Sequence, residues 1–87
     1  MSLPDRSAQI DRRRIEQVWE QVAAMIRADI TDGTFPAGHR LPSETEIAEQ
    51  YGVARMTARK ALAALIADGL LVVIRGRGTY VSPSGQH

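Results

Sequence analysis

Ile15, Val18, Trp19, Val22, Ala23, Ile26 and Ile30 recur at offsets of 3, 4, 7, 8, 11 and 15 along the chain. That period puts them on one stripe of an α-helix over residues 15–31. Trp19 is expected to anchor the core within this stripe, worth on the order of 3 kcal/mol if fully buried. A second helical period runs through Ala58, Ala61, Leu62, Leu65 and Ile66. It predicts a helix over residues 55–68 that stops at Gly69. Ile47, Ala48 and Tyr51 mark a shorter helix that Gly52 breaks. After Gly69 the pattern changes to the β-branched run Leu70-Leu71-Val72-Val73-Ile74, and strand character resumes at Thr79-Tyr80-Val81. Arg75, Gly76, Arg77 and Gly78 form the turn between them, so a β-hairpin is expected with two arginines at its tip. His39-Arg40-Leu41 is long enough only for a small edge strand.

Polar residues set the boundaries. In Pro42-Ser43-Glu44-Thr45-Glu46, Ser43 is placed as an N-cap and Glu46 sits three residues on, which is a capping box. Glu44 and Glu46 also favour the positive end of the helix, so capping accounts for both carboxylates without acid–base catalysis. Residues 32–38 are turn-rich: Gly33 can end the first helix in a left-handed cap, and Pro36 and Gly38 reverse the chain. Residues 1–14 are polar and aperiodic and read as a flexible arm. Its run Arg12-Arg13-Arg14 is either a solvated helix start or an arm that touches phosphate. The expected organisation is therefore an arm at 1–14, a folded domain at 15–82 and a polar tail at 83–87.

Composition narrows the class. A chain of 87 residues makes one domain with a modest core. The absence of cysteine excludes a disulfide framework and a thiolate metal site. His39 has only His87 as a histidine companion, so no metal and no cofactor are expected. No apolar run is long enough to span a bilayer, and no stretch has the order of a signal peptide, so a cytoplasmic location without membrane association is expected. The net charge of +1 hides an asymmetry. Residues 1–50 carry six Arg against nine carboxylates, net −3, whereas residues 51–87 carry five cations against Asp68 alone, net +4. An anionic partner for the second half follows.

The third predicted helix concentrates this charge. Its rear is apolar, while Arg55, Met56, Arg59 and Lys60 lie near its leading end. Arg55 and Arg59 are four apart and point the same way from adjacent turns. A helix that is apolar behind and basic in front suits a DNA major groove, with the tight turn Gly52-Val53 joining it to the preceding helix. A protein-interaction module built on a winged helix is the alternative. The clustered, uncompensated charge argues against it. No nucleophile–base constellation points to an enzyme.

The ordered motifs G-x-F-P-x-G-x-x-L-P-S-E from Gly33, E-I-A-E-Q-Y-G-V from Glu46, R-x-T-x-R-x-A-L-x-x-L from Arg55, D-G-L from Asp68 and G-R-G-T-Y-V from Gly76 resemble the N-terminal domain of the gluconate-operon-repressor (GntR) family of bacterial transcription regulators. The resemblance covers about 65 of the 87 residues. It implies a mainly α, winged helix-turn-helix fold: three helices plus a two-stranded β wing. It further implies a repressor that binds a palindromic double-stranded DNA operator as a homodimer. On that resemblance Arg55 and Arg59 read bases and Thr57 contacts DNA. Arg75, Gly76, Arg77 and Gly78 form the wing tip that enters the minor groove, and Ser43 opens the second helix. Lys60 and Arg40 are further candidates for phosphate contact. Three positions depart from the family pattern. Thr45 stands where an arginine that contacts DNA is common. Ala54 replaces a Ser or Thr that caps the third helix. Met56 replaces a small polar residue and is suited either to a thymine methyl or to filling a gap. The family's effector-binding, dimerising C-terminal domain has no counterpart in these residues, so a stand-alone module or a fragment of a longer regulator is expected.

Overall fold

A computed structural model describes residues 3–83. The elements are α1 (Val18–Thr31), α2 (Glu44–Tyr51), α3 (Arg55–Ala67), β1 (Leu71–Ile74) and β2 (Gly78–Val81). Residues 84–87 of the expected tail, and Met1 and Ser2 of the expected arm, lie outside the described residues. The strands pair antiparallel in the register Leu71↔Val81 to Ile74↔Gly78. The expected edge strand at His39 is a single bridge between Arg40 and Tyr80. Leu41 N–H donates to the Thr79 carbonyl at 2.9 Å and Val81 N–H to that of His39 at 2.8 Å.

The apolar stripes meet in one core. Val22, Ile26 and Ile30 of α1, Ile47 and Tyr51 of α2, Leu65 of α3, and Leu71 and Val81 of the hairpin are essentially without solvent exposure. Ala58 and Ala61 are fully buried on α3, and their small side chains let the neighbouring helices approach closely. Two helices end in the same way. At α3, Gly69 N–H bonds the Ile66 carbonyl and Leu70 N–H that of Leu65, both at 3.0 Å, with Gly69 at φ +81°. At α2, Val53 N–H bonds Ala48 at 3.0 Å across Gly52 at φ +64°. These are Schellman caps. Leu70, expected in the strand, therefore belongs to the cap and seals the core.

Three expectations need correction. The helix predicted from Ile15 begins with a 3₁₀ turn, Ile15–Gln17, and Ile15 is 76% exposed. Trp19 is only half-buried and stands outside the buried cluster. The stripe is longer than the surface available to cover it, so its first turn overhangs the core. The flexible arm is the third. Ile10 is buried in the core, and Ser7–Gln9 form a 3₁₀ turn. Asp11 N–H donates to Gln21 Oε1 at 2.7 Å, and Gln21 Nε2 donates to the Asp11 carbonyl at 3.0 Å. Arg6 donates to Asp29 at 2.6 Å and to the Tyr51 hydroxyl at 2.9 Å. This segment lacks period because it packs as an irregular strap, one apolar residue and a few polar bonds at a time.

Candidate nucleic-acid interface

The start of α2 and the exposed face of α3 form one surface. The Ser43 hydroxyl accepts from Glu46 N–H at 3.1 Å, and Glu46 Oε1 accepts from Ser43 N–H at 2.8 Å, which closes the capping box. The Ser43 amide holds the Glu46 carboxyl below its ordinary value. This cap fixes the first turn of α2 and so aims its next side chain, Glu44. That carboxylate takes a two-pronged bond from Arg59, Nε to Oε2 at 3.0 Å and Nη2 to Oε1 at 3.1 Å. Arg55 Nε lies 3.5 Å from the same carboxylate. The Arg59 bonds hold the Glu44 carboxyl below its ordinary value, and Glu44 in turn raises that of Arg59. Both arginines remain more than half exposed, at 62% and 54% of their side chains. They are therefore held side by side with their outer donors open to solvent.

Met56 is 64% exposed and Thr57 half-buried. Lys60 lies with its ammonium 4.9 Å from the centre of the Trp19 ring. A cleft of about 570 Å³ joins Met56, Thr57, Arg59 and Lys60 to Ile15, Val18 and Trp19 of the first helical turns. On the other side of Glu44, a cleft of about 550 Å³ is lined by Arg40, Ser43, Glu44, Glu46, Gly78 and Thr79 among others. The Arg40 guanidinium lies there against Gly78, at the turn end of the hairpin. A β-carbon on Gly78 would stand 2.9 Å from Arg40 Nε, so glycine makes room for the guanidinium. Gly78 also has φ +131°, which side chains rarely adopt. Thr45 is exposed on the first turn of α2. Arg75, Gly76 and Arg77 are exposed at the hairpin tip, closed by Arg77 N–H to the Ile74 carbonyl at 2.9 Å, and line neither cleft.

Sequence reasoning saw Glu44 as a capping charge and missed its hold on the arginines. No local pattern carries that pairing, because 15 residues separate Glu44 from Arg59. Trp19 and Ile15 were missed as surface residues for the opposite reason: their spacing is that of a core stripe. No helix among the described residues is long and apolar enough to cross a membrane.

Residues 19–81 match the family model of the bacterial regulatory proteins of the gntR family. The chain belongs to the GntR family. Its fold, three helices followed by a two-stranded antiparallel wing, is that of the family's winged helix-turn-helix domains. The histidine utilization repressor of Pseudomonas aeruginosa is 46% identical over 70 residues, which are 79% of this chain and 28% of that protein. The probable fructoselysine utilization operon transcriptional repressor of Escherichia coli is 39% identical over 71 residues, 82% of this chain and 29% of that protein. This GntR chain thus spans under a third of the length of the curated relatives it matches. Among solved structures, the DNA-binding domain of AraR in complex with operator ORX1 superposes with a TM-score of 0.71 at 38% identity, covering 74% of this chain and 77% of that one. A GntR family transcriptional regulator from Listeria monocytogenes gives 0.74 at 30% identity, covering 76% and 58%.

Proposed function

We propose that this chain is the operator-reading domain of a bacterial transcriptional repressor. The observation that carries the reading is the likeness to the AraR domain crystallised with its operators, at 38% identity and a TM-score of 0.71. The basic face of α3 supports it. Arg55 and Arg59 are the base readers: a guanidinium fork matches O6 and N7 of guanine and discriminates by ~1–3 kcal/mol per pair. Met56 packs on a thymine methyl. Thr57, Lys60 and Arg40 hold phosphates, with Ser43 and Thr45 on the first turn of α2 beside them. Arg75, Gly76, Arg77 and Gly78 enter the neighbouring minor groove, where a narrow groove strengthens the negative potential.

One copy offers few contacts, so two copies occupy half-sites about one helical turn apart, ~34 Å. Effector binding and dimerisation are assigned to the part of the regulator that this domain does not span. The DNA-reading unit comprises residues 15–82 with the packed strap before them. The work is binding in the cytoplasm, with no catalytic residue and no cofactor.

Selection from a pool of random duplexes at moderate salt tests this reading. The expected result is an enriched palindrome with guanine in each arm. Binding without enrichment would reduce the domain to a basic docking module. Failure to bind even at low salt would overturn the reading in favour of a protein partner.

A further inference from the structure

The cleft between α1 and α3 sets apolar surface beside the cation Lys60, with the Glu44-paired Arg59 at its edge. Ile15 and Met56 are among the most exposed large apolar side chains of the described residues, at 76% and 64%, and both line this cleft with the half-buried Trp19. Lys60 and Arg59 supply the charge among its described lining residues. Glu44, the nearby anion, is engaged by Arg55 and Arg59. Met56 and Lys60 are four apart and share a face of α3. Successive helical residues are turned by about 100°, so this face lies next to that of Arg55 and Arg59. When the arginines and the tip of Met56 face base edges, Lys60, one turn further along, faces the strand that walls the groove.

We propose that the α1–α3 cleft grips the sugar–phosphate backbone of that strand, with Ile15 and Trp19 against deoxyribose and Lys60 against phosphate. The inference rests on the DNA-binding reading above and extends its surface to the start of α1 and the 3₁₀ turn before it, including Ile15, which precedes the family match at residue 19. Charge complementarity selects this occupant. A sugar–phosphate strand alternates apolar sugar faces with anions, and the cleft presents apolar walls with cations at their edge. The cation over the indole serves both roles: it stays pinned on the ring in the free domain and faces phosphate in the complex.

Trp19 is the only tryptophan of the chain, so its emission comes from a side chain that lines this cleft. The duplex found by selection, carrying a distant dye, is titrated with the domain while dye anisotropy reads binding and indole emission reads the cleft. The expected result is that both signals change together, and that bound duplex shields Trp19 from acrylamide. Ile15→Asp changes an exposed side chain and keeps the fold, checked by circular dichroism. It is expected to weaken binding roughly tenfold on operator and random duplex alike, since backbone contacts carry no sequence information. Lys60→Gln is expected to lower the slope of log affinity against log salt by about one. Intact binding with silent tryptophan emission and an unaffected Ile15→Asp variant would overturn the cleft while leaving DNA binding in place. No anisotropy change for the wild type on any duplex would overturn the functional reading, and the cleft with it.

Discussion

At the scale of single residues, Glu44 decides how the two candidate base readers behave. An unpaired exposed arginine samples many rotamers, and ordering it on DNA costs entropy. Glu44 holds Arg59 by two bonds and draws Arg55 to the same carboxylate, so that cost is partly met before binding. The same carboxylate repels the phosphate strands and competes with guanine for the fork. Glu44→Gln removes the negative charge and loosens both arginines. The expected outcome is tighter binding to random duplex with less discrimination between operator and random sequence. Anisotropy titrations on both duplexes check it, and a raised discrimination ratio would refute it. Glu46 lies two residues from Glu44 with a separate role. Its folded value is depressed below the ordinary 4.5 by the Ser43 amide. A depressed carboxyl contributes stability that is complete above its unfolded value and is lost as pH falls through the folded one. Glu46→Gln keeps an acceptor for Ser43 N–H but cannot titrate. Its thermal midpoint should stay near wild type at neutral pH and fall less steeply than wild type below pH 4.5.

At the scale of elements, the sequence was most legible where one face is buried. The stripes of α1 and α3 and the capping box of α2 required only periodicity and a Ser-x-x-Glu spacing. Legibility failed where an element outruns its cover, as at Ile15 and Trp19, because periodicity reports a face and not the length of the surface opposite. It failed at Glu44 because the partners lie on different helices. Ala54 is a local defect that both levels agree on. It occupies the N-cap of α3 at φ −66° and ψ 150°, the extended geometry of a cap, with no side chain to bond the helix amides. Its carbonyl already accepts from Thr57 and Ala58 at 3.0 and 3.1 Å, so the backbone needs no change to take a capping hydroxyl. Ala54→Ser should stabilise the domain by ~1 kcal/mol. For a domain of this size that is a rise in Tm of roughly 4–8 °C. Unchanged Tm would mean that the strap or solvent already satisfies those amides.

At the scale of the whole molecule, the strap ties together parts that the three-helix pattern leaves separate. Arg6 N–H bonds the Gln50 carbonyl at 2.7 Å, and Arg12 Nη2 bonds that of Tyr51 at 3.2 Å. The Arg6 side chain reaches Asp29 on α1 and the Tyr51 hydroxyl on α2. Gly52, which begins the turn into α3, leaves no room for a side chain, since its β-carbon would stand 2.7 Å from that of Ser7. The strap therefore closes over the turn that sets the angle between α2 and α3. Asp29 retains only 12% side-chain exposure, so it is carried in the folded state mainly by Arg6. Arg6→Met keeps an unbranched apolar stem and leaves that carboxylate without its guanidinium. Breaking a fully buried pair costs about 3–5 kcal/mol, and the 22% exposure left to Arg6 reduces this to ~2 kcal/mol. The expected fall in Tm is roughly 10 °C. Loss of the guanidinium's contact with Tyr51 alone would lower stability in the same direction, so the single variant does not isolate the charge pair. Adding Asp29→Asn to Arg6→Met does. If the stranded carboxylate is the main cost, the double variant should recover more than half of the lost Tm, because an amide is far cheaper to bury than an unpaired anion. No recovery would assign the strap's contribution to Tyr51 and to packing at Ile10, and a single variant as stable as wild type would show that the strap is dispensable to the fold.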